Sequence, residues 1–512
     1  MTTTLFRGGR IRSLIGEESG KWLLVDGDRI AASGGSDAPN ADRIIALDGA
    51  VVIPGFCDAH VHLPATGLYA SGLDFRGVHS SRVILEAFTE RASSHNTGMM
   101  FGGNFEDPLD EPITRHELDR AVGSRPALLA RADMHSCVVS TALLEELDVH
   151  GLEGVDTDEF GRPTGYLREK AAADAWRLFD SSLSRREQMD AIRAAIHLCY
   201  SKGVTSVHEM FVVEWRGWDA FDVLQASVEH AALNVIPYVA TPEVDRVAEM
   251  GLSQVGGDFF LDGSFGSHTA WMADGYVSDP PDGTPRSGIS YRSDDELLEF
   301  FLRAQDAGLQ AGVHAIGDAA VEQAIATWEK VADSRGLEAV RSLGHRIEHF
   351  ECSSDAHIRR AARLRLRASI QPAFDRFWGG RDGLYARRIG WGRAAEMNRF
   401  RTMIDGGLVV GAGSDSTVTP LDPFLQMASL RTHHIAEERL DGFSALVAHT
   451  KGAHALAGTA DRGTLFPGNV ADLTLVSSDP AECKPDDLRN IEVLATWIGG
   501  RRVWPPELAE AE

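Results

Sequence analysis

"PGFCDAHVHL", residues 54–63, follows directly on the apolar run AVVI of residues 50–53. His60 and His62 are one residue apart, so on an extended strand both imidazoles project to the same side. Two neutral imidazoles that converge on one point can share a metal ion. A chain with 19 histidines also produces such pairs by chance. Whether this pair is chemical depends on what the rest of the sequence brings to the same place.

Outward from that stretch, short apolar strand candidates alternate with longer helical segments. The strands are expected at residues 51–56, 204–209, 235–240, 258–262, 310–315, 345–349, 368–371 and 408–414. "RREQMDAIRAAIHLCYSKG" and "DDELLEFFLRAQDAG" carry apolar residues at three- and four-residue spacing and stop at glycine. Eight alternating βα units predict a closed parallel (β/α)8 barrel of the TIM type. A doubly wound sheet is the alternative, but no Gly-rich phosphate loop follows the first strand. Both ends read as β-rich, with Asp26-Gly27 a hairpin signal, which predicts a small β-sandwich built from both termini. Residues 64–183 are far too many for one βα connection and predict an inserted subdomain between barrel strands 1 and 2. The expected division is 1–53 plus 464–505 for the composite sheet domain, 54–63 plus 184–463 for the barrel, and 64–183 for the insert.

Composition narrows the function. The 512 residues are 43% hydrophobic and 24% charged, the balance of a globular protein. A formal charge of −25 disfavours nucleic acid, which needs a concentrated basic face. Five cysteines without a CxxC pair argue against structural disulfides and make a reducing cytoplasm the expected compartment. Neither an apolar signal segment nor an 18-residue apolar run is visible, so no membrane partner is expected.

The polar residues fall at the ends of the apolar strands: "DAHVH", "SVHE", "GVHAIGD", "RIEH" and "VVGAGSD". Barrel enzymes carry their chemistry at the C-terminal ends of strands, where the loops share one mouth. His60, His62, His314, His349 and Asp415 would all reach that mouth. One histidine there is ordinary core; four with an aspartate point to a metal site. A bound divalent cation acidifies its water, and a carboxylate in reach takes the proton and returns it to a leaving amine.

These motifs carry a resemblance. With "RADMHSCVVSTALLEEL", "GRPTGYLREKA", "KGVTSVHEM", "LDGSFGSHTA", "VHAIGDAA", "HRIEHF", "SIQP", "GSDSTVTPLDPF" and "GTLFPGNVADLTLV", the chain resembles the amidohydrolase superfamily, family 3, in the N-substituted formamide deformylase-like branch. The resemblance implies a (β/α)8 barrel with a two-ended β-sandwich. It implies His60 and His62 on one divalent metal and His314 and His349 on a second or completing the first. It implies Asp415 as ligand and general base, with His314 also counted as catalytic. Zinc, one or two ions, is the expected cofactor, a small molecule the expected substrate, and a homodimer the assembly common among relatives.

One departure matters. Many relatives carry a lysine before the "DGS" segment whose carboxylated form bridges two metals, whereas this position is Asp258 and none of the six lysines lies on that strand. Two replacements are available: Asp258 itself could ligate, though its short carboxylate reaches less far, and Glu169 in "GYLREKA" is preferred, which would leave Asp258 a structural role. His135, His208 and His268 match family positions near substrate, and each also reads as a buried hydrogen-bonding histidine. Arg346 either binds substrate or braces its strand end. Cys57 and Cys352 read as small core residues, and Phe101, Phe105, Phe374, Phe377 and Trp378 as pocket lining or loop packing. The expected activity is hydrolysis of a non-peptide C–N bond of the amide type. Deamination, opening of a cyclic amide or lactone, and a non-catalytic metal-stabilised binding barrel are the alternatives.

Overall fold

The computed structural model describes residues 2–14, 20–94, 98–105, 108–131, 136–149, 151–280 and 284–506, with the side chain of Glu169 outside the description. The chain divides into two compact units, one of Met1–His62, Leu198–Val212 and His230–Glu512, the other of Leu63–His197 and Val213–Glu229.

The first unit is α/β. Its parallel strands are β1 (Phe56–Val61), β2 (Val204–Val212), β3 (Asn234–Ala240), β4 (Gln254–Val255), β5 (Gln310–Ala315), β6 (Arg346–His349), β7 (Arg367–Ile370) and β8 (Val409–Ala412). They pair as a three-stranded sheet, β3-β2-β1, and a five-stranded sheet, β4-β5-β6-β7-β8. Every residue of β1, β2, β5 and β6 is buried, the signature of strands covered on both faces. Helices follow the strands: Asp294–Asp306 before β5, Asp318–Arg335 and Leu337–Leu343 after it, and Asp355–Leu364 after β6. Reciprocal capping fixes two of these starts. The Ser293 hydroxyl accepts from the Glu296 amide while the Glu296 carboxylate accepts from the Ser293 amide, and Ser354 pairs with His357 in the same way.

The outer strands of the two sheets meet through backbone bonds. The amide of Asp415 donates to the His60 carbonyl at 2.8 Å and that of His62 to Ser416 at 3.1 Å, while at the other edge Gly256 donates to Val239 at 2.8 Å. Gly413 permits the first approach, since a Cβ there would lie 2.4 Å from the His60 nitrogen.

Two strand expectations are corrected. Val51–Pro54 does not start the parallel sheet; it pairs with Thr3–Ile11 and Leu473–Val476. The chain changes sheets between residues 55 and 56, where Gly55 donates to Asp472 and Phe56 to Gly203. Residues 258–262 do not form a regular strand either. Gln254–Val255 does, and then Gly256 and Gly257, with φ of 85° and 73°, break the ladder and re-aim the chain at Asp258.

The terminal segments come together in one eight-stranded mixed sheet. Its central path runs Arg501–Trp504, Val493–Ile498, Leu473–Val476, Val51–Pro54, Thr3–Ile11, Gly20–Asp26 and Arg29–Gly34. It buries Phe6, Leu23, Val25, Leu473 and Trp497 in one cluster. The second unit holds its own six-stranded sheet, from Leu73–Asp74 to Pro163–Arg168 and Val155–Thr157. Phe101 and Phe105 lie in that unit's hydrophobic clusters, where they pack rather than line a pocket. No described helix is long and apolar enough to cross a membrane.

The Gly256 turn gives a direct test. A Cβ at Gly256 would sit 2.1 Å from the Gly312 carbonyl oxygen, at a φ that side chains rarely adopt. Gly256→Ala is expected to destabilise the first unit by about 1–3 kcal/mol, read as a lower denaturant midpoint by circular dichroism. An unchanged midpoint would contradict the close approach.

Candidate metal centre

His60 closes β1 with Val61 and His62 follows it, and the alternation of the strand turns both rings to one side. Their centroids are 5.6 Å apart, edge to face. His349 ends β6 with φ of 69°, and Asp415 follows β8 with φ of 51°. Left-handed conformations at two such residues carry local strain that the surrounding hydrogen bonds must hold. Asp258 arrives from the Gly256-Gly257 turn.

The side chains converge. His62 Nε2 lies 3.2 Å from both Asp258 Oδ2 and Asp415 Oδ1; His60 Nε2 lies 3.5 and 3.6 Å from the same atoms. His349 Nε2 lies 3.8 Å from Asp258 Oδ1. Among the described residues two groups have ligand atoms close enough to share one ion: His60, His62 and Asp415, and His60, Asp258 and His349.

Each imidazole is held from behind. His60 Nδ1 bonds Glu348 Oε2 at 2.9 Å, His62 Nδ1 bonds the Met210 carbonyl at 2.8 Å, and His349 Nδ1 bonds Gln371 Oε1 at 2.8 Å. All three partners are oxygen acceptors, so in the neutral ring the proton sits on Nδ1 and Nε2 carries a lone pair. Three lone pairs then face two carboxylates, acceptor against acceptor. His60 Nε2 and Asp258 Oδ1 are buried without a hydrogen-bond partner. Such an arrangement calls for a positive charge, a proton or a metal cation, and outward Nδ1 anchoring is the habit of metal-bound histidine. The donor set of imidazoles and carboxylates fits a divalent ion of the zinc type.

Electrostatics agree. Burial alone would push the His62 imidazole down, but hydrogen bonds and negative charge from Asp258 and Asp415 carry it up to about 10. His60 is raised well above its ordinary value by the same carboxylates and Glu348, against the same burial. Asp258 and Asp415 lie below the usual carboxylate range despite burial, because the histidines favour their charge. His62 is the open member, with its side chain 22% exposed against 9% for Asp415 and 0% for His60.

Several site expectations change. Asp258, given a structural role by the sequence, stands at the centre of the cluster. His135 lies outside the described residues, as does the Glu169 side chain. His314 is buried beside the cluster, its ring 4.4 Å from that of His349 and its Nδ1 3.4 Å from Asp262 Oδ1, but it joins neither ligand group. His208 and Arg346 are fully buried, and Arg346 Nη1 donates to His208 Nδ1 at 2.9 Å. His268 is buried too, its Nε2 bonded to Ser278 Oγ at 2.9 Å and its ring against Tyr276. Phe374 stacks parallel to His349 at 5.9 Å and packs on Trp378.

Glu348, Gln371 and Asp58 escaped the sequence reading. Glu348 was legible in principle, because "RIEH" puts two charged residues on one strand face. Asp58 Oδ1 accepts from the amides of His60 and Ser414, tying β1 to the end of β8. Burial, opposed by the Ser414 bonds, pushes its carboxyl up to about 6.

With this geometry in place, comparison with known proteins is consistent throughout. Residues 43–504 match the sequence model of the amidohydrolase family, and the chain belongs to that family of hydrolases. It is 30% identical over 497 residues to YtcJ of Bacillus subtilis, covering 90% of each chain. It is 25% identical over 536 residues to the N-substituted formamide deformylase of Arthrobacter pascens, covering 93% of this chain and 94% of that one. The crystal structure of a metal-dependent hydrolase from Pyrococcus furiosus superposes with a TM-score of 0.76 at 27% identity, over 94% of this chain and all of the other.

The raised His62 value predicts a pH signature. In metal-free protein a proton takes the cation's place, and its contribution is full below the unfolded pKa of about 6.5. It is lost as pH rises toward the folded value of about 10. The melting temperature of metal-free protein should therefore fall across that window, while zinc-loaded protein holds it. Calorimetry that finds metal-free stability flat from pH 6.5 to 10 would contradict the coupling.

Proposed function

We propose that the cluster holds one or two divalent cations, zinc by its donors, and that the protein hydrolyses a carbon–nitrogen bond of the amide type in a small molecule. The observation that carries this reading is the convergence of three Nδ1-anchored histidines on Asp258 and Asp415. His60, His62, Asp258, His349 and Asp415 would hold the metal. Asp258 Oδ2 faces His60 and His62 while Oδ1 faces His349, so this carboxylate is the one we read as the extra ligand in preference to Glu169. We read His314, its ring 4.4 Å from that of His349, as a further candidate ligand.

A divalent cation supplies Lewis acidity, lowering the pKa of water and polarising the scissile carbonyl. Asp415, beside the solvent-exposed edge of His62, is the group to take the proton from that water and return it to the leaving nitrogen. Water oxygen joins the carbonyl carbon, the C–N bond breaks, and the amine leaves with the proton. Similarity to a formamide deformylase supports an amide over other carbon–nitrogen bonds. We read the scaffold as a closed (β/α)8 ring, supported by the backbone bonds at both sheet edges, with residues 64–183 as an insert.

Asp415→Asn keeps the size of the side chain but cannot accept a proton. Turnover of an N-formyl and N-acyl amide panel by zinc-supplemented protein should fall by ~10² to 10⁴, with native circular dichroism retained. Near-normal turnover in the folded variant would assign the base elsewhere. Chelation should abolish turnover reversibly; unfolding on chelation, with no turnover before it, would favour a purely structural metal.

A further inference from the structure

Below the cluster lies a fully buried cation without a ligand role. Arg346 opens β6 at 0% exposure, and a guanidinium in that setting needs nearly every donor engaged. Its Nε donates to Glu348 Oε1 at 2.5 Å, and its Nη2 to Glu348 Oε2 at 2.7 Å and to the Ala59 carbonyl at 2.8 Å. Nη1 donates to His208 Nδ1, which keeps His208 a neutral acceptor. The flat face of the guanidinium lies 4.4 Å from the Tyr238 ring centroid, and the Tyr238 hydroxyl donates to Gln310. The group is therefore clamped on its edges and its face.

Two of these contacts bear on one residue. Glu348 sits two positions along the same strand face, and the oxygen it shares with Arg346 Nη2 also accepts the Nδ1 proton of His60. The other contact, at Ala59, fixes the carbonyl immediately before His60. We propose that Arg346 is a positioning residue for the metal centre: by gripping both Glu348 oxygens and the Ala59 carbonyl, it fixes His60 so that Nε2 stays a lone pair aimed at Asp258 and Asp415. This rests on the metal reading above and adds to it a determinant of metal affinity that touches neither metal nor substrate. His208 serves the same clamp from the opposite side.

A pair that merely stabilised the core would behave differently, and two variants separate the cases. Arg346→Met leaves Glu348 buried without its cation. Arg346→Met with Glu348→Leu removes the pair together, a replacement that commonly preserves stability. The measurement is zinc affinity, by competition with a chromophoric chelator, alongside the melting temperature. Positioning predicts a zinc dissociation constant raised by ~10- to 100-fold in both variants, with thermal stability regained in the double variant but affinity not. Arg346→Lys, which keeps a cation on Glu348 but loses the fork, should fall between wild type and Arg346→Met. If Arg346→Met does not fold, Arg346→Lys, which leaves the Glu348 bond to His60 in place, decides: zinc affinity equal to wild type overturns the inference and a several-fold loss supports it. A double variant that binds zinc within about twofold of wild type overturns the inference while leaving the metal reading intact. Wild-type protein that binds no zinc overturns both.

Discussion

Three imidazoles and two carboxylates point at one another across 3.2–3.8 Å in a largely buried site. Water would relieve such a clash at a surface, but burial removes that option and leaves a positive charge as the remedy. Each histidine has its other nitrogen committed to an oxygen behind it, so no ring can turn to escape. The structure around the cluster exists to keep these acceptors facing inward. The same electrostatic tension that would strain a metal-free protein becomes binding energy once a cation is present.

The scaffold meets that demand with small devices at strand ends. Alternation at His60 and His62 supplies two ligands from one strand, and a glycine turn at residues 256–257 aims Asp258 inward. Gly413 lets the end of β8 lie against β1, which brings Asp415 within reach of both histidines. Asp262 pins the neighbouring loops, its carboxylate accepting backbone amides of Trp271, Ile316 and Gly317. Rigid strands set the positions, and backbone breaks set the directions.

Much of this was legible in the sequence because it rides on periodicity. Strands around 204–209, 235–240, 310–315 and 368–371 follow from short apolar runs with flanking helices, and they form. Histidines at strand ends could be grouped because a parallel sheet puts those ends together. What failed depended on backbone geometry. "GGDFFLDGS" reads as a strand, yet two positive-φ glycines end the regular ladder before Asp258 and turn its short side chain into the cluster. The first parallel strand starts later than expected because residues 51–57 hold no charged side chain to mark a boundary, and the change of sheet at residue 55 leaves no hydropathy signal. That His208 and Arg346 are completely buried and bonded to each other is a tertiary fact with no signal in the sequence. The Met210 carbonyl that holds His62 could not be read at all, since every residue carries one.

The most direct test is a crystal structure of zinc-loaded protein with anomalous data collected across the zinc edge. The account predicts anomalous density between His60, His62, Asp258 and Asp415, with Nε2 of both histidines ligated and their Nδ1 bonds to Glu348 and Met210 unchanged. Density only at surface sites, with His62 Nε2 protonated and hydrogen-bonded to Asp415, would contradict it.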